Sequence, residues 1–235
     1  MRHIQSSRRL PGFTLIELLT VIAIIGILAA IIIPVVSKVR TTAKMTRSLA
    51  NLRQIGAAVQ LFAGDNKGAL PVWHDYTVNT VSDIPGESAY EGSYWWEQLE
   101  TYLGRDREIF HSPAHVEFDS STRDKLRETI SYGWNYEVLG RHKGDSSKEG
   151  DHRLNVTDFE SPARSLAASD GKDRDSWGSI TSARDGPQWA PSPTRYGDRI
   201  PSLFLDGHVS TRPYSEFLQA DPWFNAVKAL PPDKS

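Results

Sequence analysis

The 235-residue sequence predicts an α+β protein: a long N-terminal α-helix, transmembrane in its first half and amphipathic in its second, packed on a small antiparallel β-sheet head. Three observations predict it. Residues 13–36 carry no charged side chain except Glu17. Beyond them apolar residues recur at intervals of three and four until a Gly- and Asp-rich break. After Asp65 the chain becomes rich in Trp, Tyr, Gly, Pro and Asp, with short apolar runs that twice end in Asp-Gly.

The helix comes first. At about 1.5 Å per residue the apolar run gives roughly 36 Å, more than the roughly 30 Å hydrocarbon core of a bilayer. A secretory signal has a shorter apolar region followed by a small-residue cleavage site, whereas here Ala29-Ala30 leads into Ile31-Ile32-Ile33. The run therefore reads as an anchor, and the negative mean hydropathy of the chain leaves a polar head outside the lipid. Past the anchor, Val35, Val39, Leu49, Leu52, Ile55, Val59 and Phe62 form one stripe, until Gly64-Asp65-Asn66-Lys67-Gly68 ends it. Pro34 removes a backbone donor and is expected to bend or locally melt the helix. Gly26 and Ala30 offer a notch for a neighbouring helix, a pattern also common in spans with no such role.

In the head, SYWWEQLETYLG places Trp95, Trp96, Leu99, Tyr102 and Leu103 at helical spacing, with Glu97 and Glu100 outward. The bland interpretation is a short core-packing helix; the sharper one is an exposed aromatic platform for sugars. TISYGWNYEVLG predicts a strand with Tyr132, Trp134 and Tyr136 on one face, and residues 141–153 a charged loop. Two runs, RSLAASDG and IPSLFLDGHVSTR, reach an Asp-Gly, the strongest short hairpin signal because Gly tolerates the positive φ of a tight turn. Leu203-Phe204-Leu205 should run up to Asp206-Gly207, and His208-Val209-Ser210 should return.

Composition narrows the chemistry. With no cysteine there are no disulfides, zinc-thiolate sites or cysteine nucleophiles. No Gly-x-Ser-x-Gly elbow, phosphate-binding loop or His-Glu-x-x-His occurs, so an enzyme is not expected. His111 and His115 have metal-compatible spacing only on a helix, and Pro113 between them favours a loop. Asp170, Asp173 and Asp175 are either a loose calcium loop or acids of a surface loop. No acid lies between Glu17 and Asp65, while Lys38, Arg40, Lys44, Arg47 and Arg53 do. These cations form a solvated helix face, or meet anionic headgroups or an acidic neighbouring surface. Because four positive charges precede the span and four follow it soon after, charge counting does not orient it.

The amino terminus resembles a known signal. A short basic leader ending in Gly12, then Phe13-Thr14-Leu15-Ile16-Glu17, an uninterrupted apolar run and Pro34 inside it, closely resembles the prepilin signal of type IV pilins and type II secretion pseudopilins. The resemblance implies cleavage between Gly12 and Phe13 by a prepilin peptidase that also methylates the Phe13 amine. It divides the chain into a leader (1–12), a transmembrane assembly helix (13–36), its amphipathic continuation (37–64) and an extracytoplasmic head (65–235). The loss of three leader arginines leaves 24 basic against 29 acidic residues, a poor balance for nucleic-acid binding. A carboxylate at membrane depth needs a counter-charge. The freed Phe13 amine supplies one, either within the chain or between chains, and the resemblance implies that Glu17 of one subunit docks on the N-terminus of the next.

A second resemblance lies near the carboxyl end. Many pilin-like proteins carry a His, nine residues, then Asp-Gly followed by His; here Asp206-Gly207-His208 is present, and the position ten before Asp206 is Tyr196. Major pseudopilins also use calcium in a C-terminal loop, which is what the Asp170, Asp173 and Asp175 pattern would correspond to. The implied function is a pseudopilin or minor pilin of the inner membrane that assembles with other pilin subunits through an assembly ATPase and platform protein. The alternative is a membrane-tethered module whose Trp-rich head binds a polysaccharide or secreted substrate.

Overall fold

The computed structural model describes residues 14–80, 90–136, 139, 142–143, 153–172, 178–180, 191 and 195–218. It consists of two compact units, residues 1–41 and 42–235, and the boundary falls inside the first helix. Each unit is described by itself.

Helix α1 runs unbroken over Leu15–Asp65. Pro34 lies within it, so the local melting expected there does not occur. In the first unit, the side chains from Leu15 to Val39 are solvent-exposed almost throughout, including Leu15 at 80% and Ile33 at 68%. The helix ends where the sequence breaks. Lys67 and Gly68 adopt positive φ of 56° and 87°, and Gly68 N donates to Ala63 O at 2.7 Å, closing the last turn. Asn66 Nδ2 caps the Phe62 carbonyl at 2.8 Å.

In the second unit, Ser48, Asn51, Leu52, Ile55, Gly56, Ala58, Val59, Phe62 and Ala63 form the buried stripe of α1, following the three-four period. The described residues of this unit form two sheets, of which the larger meets the stripe through Tyr132 at Ser48 and Leu203 at Gly56. The smaller has the order β2-β1-β4, with β1 at His74–Thr80, β2 at Tyr90–Tyr94 and β4 at His142–Lys143. The larger has the order β6-β3-β5-β7-β8, with β3 at Tyr132–Asn135, β5 at Leu166–Asp170, β6 at Ser179–Ile180, β7 at Arg199–Phe204 and β8 at Val209–Pro213. The expected single antiparallel sheet is thus two sheets, each antiparallel except for one two-residue parallel strand, β4 beside β1 and β6 beside β3.

The expected hairpin is present: β7 and β8 pair from Arg199–Pro213 to Leu203–Val209 around the Asp206-Gly207 turn, and Gly207 takes φ +89°. The other Asp-Gly does not turn a hairpin. β5 lies between β3 and β7, and Gly171 N donates instead to Ser131 O at 2.7 Å. The region read as a loop, 141–153, contributes β4, and Arg153 at its end pairs with Asp75 at 2.8 Å; its other residues lie outside those described.

Helix α2, Trp95–Glu100, is continued by a 3-10 turn, Thr101–Leu103. Trp95, Trp96 and Leu99 are fully buried as the spacing predicts. Trp95 stacks on Trp134 at 5.4 Å, meets Phe110 edge-on at 5.6 Å and donates its indole N–H to Gly178 O at 2.8 Å. Glu97 and Glu100 do not face outward. Arg123, near the start of α3 (Arg123–Thr129), grips Glu97 bidentately at 2.6 and 2.8 Å, both side chains being buried, and Arg107 holds Glu100 at 2.9 Å. Helix α4, Tyr214–Leu218, follows β8. Trp73, Trp95, Trp96 and Trp134 are all buried, so no exposed tryptophan platform exists among the described residues; Trp177, Trp189 and Trp223 lie outside them.

Candidate functional site

The first unit presents an apolar rod with one acid at its head. Gly12 and Phe13, the expected cleavage and methylation positions, lie outside the described residues. Glu17 is described, and its carboxylate is engaged locally. Oε2 accepts from Thr14 N at 2.9 Å and from Thr14 Oγ1 at 2.7 Å, while Glu17 N lies 3.3 Å from Thr14 Oγ1. This is a reciprocal capping box, written in the sequence as Thr14-x-x-Glu17, and it satisfies donors at the helix start. Sequence reasoning about the anchor passed over that signal. Glu17 therefore has a structural task besides any pairing with a chain terminus, and its carboxylate remains exposed at the helix head.

The C-terminal motif residues sit in the second unit and dock on α1 at two levels. Tyr196 shares a hydrogen bond with Ser112 at 2.8 Å, and its hydroxyl makes a long 3.5 Å contact to Lys44 O. Beside it Tyr132 shares a hydrogen bond with Ser48 at 3.0 Å, and Asn51 Nδ2 donates to His111 O at 2.8 Å. Burial, reinforced by Asp170, pushes the phenol of Tyr132 well above the usual tyrosine range and raises that of Tyr196. Farther along α1, Gln60 Nε2 donates to Leu205 O at 2.6 Å. Gly56 lets the same turn approach closely, since a Cβ there would stand 2.7 Å from Leu203 Cδ1 and 3.4 Å from Gly207 O. His208 stacks on Phe204 at 4.4 Å, and its Nδ1 lies 2.6 Å from Asp206 Oδ1. Lys44 and Gln60 are sixteen residues apart, about 24 Å along a helix, so the structure does not bring Tyr196 and His208 into one site.

The metal-compatible residues are dispersed. His111 and His115 lie on a loop: His111 stacks on Phe118 at 4.5 Å, and His115 Nδ1 lies 2.9 Å from Ser131 Oγ. Asp170 is buried and ion-paired with Arg195 at 2.7 Å; Arg195 also donates to Ser131 O at 2.9 Å and Lys172 O at 2.8 Å. Asp173 and Asp175 lie outside the described residues. Among the described residues no group of three or more His, Asp or Glu gathers. Arg195 escaped sequence reasoning, because its partner is 25 positions away and no local pattern announces it. The cations Lys38, Arg40, Lys44, Arg47 and Arg53 are all exposed on α1.

Comparison with known proteins bears on the rod. Residues 8–33 match the family model of the prokaryotic N-terminal methylation motif. The chain is 41% identical over 59 residues to the type II secretion system core protein G of Pseudomonas aeruginosa, covering 25% of this chain and 42% of that protein. It is 45% identical over 62 residues to the type IV major pilin protein PilA of Myxococcus xanthus, covering 26% of this chain and 28% of that protein. The chain thus spans less than half the length of the relatives it matches. No solved structure matches. A long N-terminal helix with this motif, leading into antiparallel-rich sheets, is a pilin-like layout.

Proposed function

We propose that the chain is a structural pilin-like subunit, a pseudopilin or minor pilin, and not an enzyme. A prepilin peptidase severs the Gly12–Phe13 bond and the new Phe13 amine is methylated. The helix from Phe13 onward sits in the inner membrane with the head outside the cytoplasm. An assembly platform then extracts the subunit into a filament with other pilin subunits. In that filament the apolar rods pack side by side, a head-to-tail contact that propagates along one axis. Glu17 sets the axial register by pairing with the amino terminus of a neighbour.

One observation carries this proposal: the exposed apolar stretch of α1, Leu15 to Val36, coincides with the methylation-motif match and is interrupted by a single acid. In an isolated chain so large an apolar surface is unfavourable and needs a lipid or protein environment. The four described tryptophans are buried and offer no surface to the alternative, a membrane-tethered module that binds a polysaccharide or secreted substrate. The test is intact-mass analysis of the membrane-bound chain with immunoblotting of sheared surface filaments. The expected product begins at Phe13, carries one added methyl group and appears in the sheared fraction. A working protein that still carries Met1 overturns the proposal.

A further inference from the structure

We propose that Val116 and Glu117 dock on the exposed face of α1 in a second copy of this chain, Val116 against Ala57 and Glu117 against Arg53. This rests on the filament reading made above and names one contact between copies within it. All four residues belong to the second unit.

A single exposed valine is ordinary on a protein surface. Val116 stands apart in how it is held, because it is 90% exposed on a loop braced from several sides. His111 Nε2 lies 3.0 Å from His115 O, His115 N donates to Ser112 O at 2.8 Å, and Asp119 N donates to Thr129 Oγ1 at 2.9 Å. A side chain fixed in advance loses little freedom on docking. Next to it Glu117 is exposed and, like Glu128 and Glu160, enters no ion pair or hydrogen bond among the described residues. The other acids around the loop are engaged. Asp106 caps a 3-10 turn, Glu108 accepts from Ser120 at 3.2 Å, Asp119 pairs with Lys125 at 3.1 Å and Asp124 with Arg127 at 3.5 Å. Glu128 and Glu160 have no exposed large apolar residue beside them in the chain, so Glu117 alone joins a free acid to an apolar knob.

The receiving face is the side of α1 turned away from the core. Ala50, Gln54, Ala57 and Leu61 recur at fours and threes and are exposed, Leu61 at 58%. Arg53, also exposed and without an ion pair among the described residues, lies one turn before Ala57. Ala50, Arg53, Gln54 and Ala57 frame a hole of the kind that accepts a knob from a packing partner, and the two alanines leave it open. The cation on its rim matches the acid that follows Val116. Asp65, the next acid along the helix, is already bonded to Tyr102 at 2.9 Å. The loop is fastened to the buried side of α1 through Asn51, so knob and hole are separate surfaces of one copy. Their pairing is heterologous, and each docked copy presents a fresh hole to the next.

The chain has no cysteine, so introduced cysteines report without background. Two full-length copies with different tags, one carrying Val116→Cys and the other Ala57→Cys, are co-expressed, and sheared filaments are oxidised and separated without reductant. A dimer bearing both tags is expected, and none when Glu160→Cys replaces Ala57→Cys. Adding Glu117→Arg to the first copy should lower the doubly tagged fraction at least about fivefold, and adding Arg53→Glu to the second should restore most of it. Filaments without the mixed dimer overturn the proposal. So does a Val116→Cys homodimer of equal yield, an adduct to a different protein in place of the mixed dimer, or a charge exchange that restores nothing. If the unmodified chain yields no filaments, the filament reading itself has failed, an outcome distinct from filaments that form without this contact.

Discussion

Arg195 and Asp170 form the most deeply buried ion pair among the described residues, with side-chain exposures of 2% and 0%, and their energetics can be dissected. Replacing Arg195 with Met strands the Asp170 carboxylate in the core and removes the donors to Ser131 O and Lys172 O. Breaking a buried pair from one side costs about 3–5 kcal/mol, against a net stability of about 5–15 kcal/mol for a domain. For a unit of this size about 3 kcal/mol lowers the melting temperature by roughly 6–12 °C. Asp170→Leu should cost a similar amount by leaving the guanidinium without its carboxylate. The double variant Arg195→Met/Asp170→Leu removes both charges and should cost much less than the sum, about 2 kcal/mol or below. Urea denaturation of the full chain in detergent, followed by the fluorescence of the buried tryptophans, measures all three. Additive losses would show that the two charges do not depend on one another. A loss at Asp170 that appears only with millimolar calcium and vanishes in chelator would make Asp170 a metal ligand, and the ion-pair account would be wrong.

Capping and charge at Glu17 can be separated, because Gln keeps the capping-box geometry and discards the charge. Glu17→Gln should insert into membranes and fail to appear in sheared filaments, while Thr14→Val, which loses the cap, should still assemble; the reverse pattern would make Glu17 a helix cap and nothing more. Two helix glycines should respond with opposite sign. Gly64 has open space around it, so Gly64→Ala should stabilise by up to about 1 kcal/mol, whereas Gly56→Ala drives a methyl into Leu203 and should cost about 1–2 kcal/mol net of the same propensity gain. Equal melting temperatures for the pair would mean that the β7–β8 turn does not rest on α1 at Gly56. The raised phenols of Tyr132 and Tyr196 have a pH signature. A group whose pKa is higher folded than unfolded gives stability that is complete below the unfolded value, about 10 for tyrosine, and is lost as pH climbs above it. Denaturation midpoints should therefore fall above about pH 10 in the unmodified chain and fall less steeply in Tyr132→Phe and Tyr196→Phe; an unchanged slope in both would place the alkaline sensitivity elsewhere.

The features legible in the sequence are those with a local physical cause. Helix α1 ends at Asp65 because the apolar period and the Asn66-Lys67-Gly68 break coincide, and the β7–β8 hairpin forms because Asp206-Gly207 separates two runs of high strand propensity. What stayed hidden depends on partners distant in the chain. Glu97 reads as a surface position by helical spacing alone, yet Arg123 lies 26 residues on and draws it inside. The order β3-β5-β7 requires neighbours that no local pattern specifies, and two-residue strands such as β4 and β6 are too short to show any alternation. Thr14-x-x-Glu17 differs, since the capping box was present in the letters and was overshadowed by the anchor in which it lies.

The spacing of Tyr196 from Asp206-Gly207 acquires a mechanical meaning from these contacts. Ten residues in extended conformation reach about 33 Å at most, and the two docking levels on α1 are separated by about 18–24 Å, from Lys44 to Gly56 or Gln60. β7 therefore carries the chain from one foothold on the helix to the other, and the residues between have the length to do so with about 9–15 Å to spare. At the first foothold the requirement is a side chain that reaches Ser112, which the phenol of Tyr196 meets. At the second, Gly207 at φ +89° makes the tight turn and brings its carbonyl near the Cβ-free surface of Gly56. His208 then stacks on Phe204, with Arg212 over the same ring at 5.3 Å. Two side chains at opposite ends of such a strand cannot share one ligand. The motif positions in this chain thus act as separate fastenings of the sheet to the second half of α1.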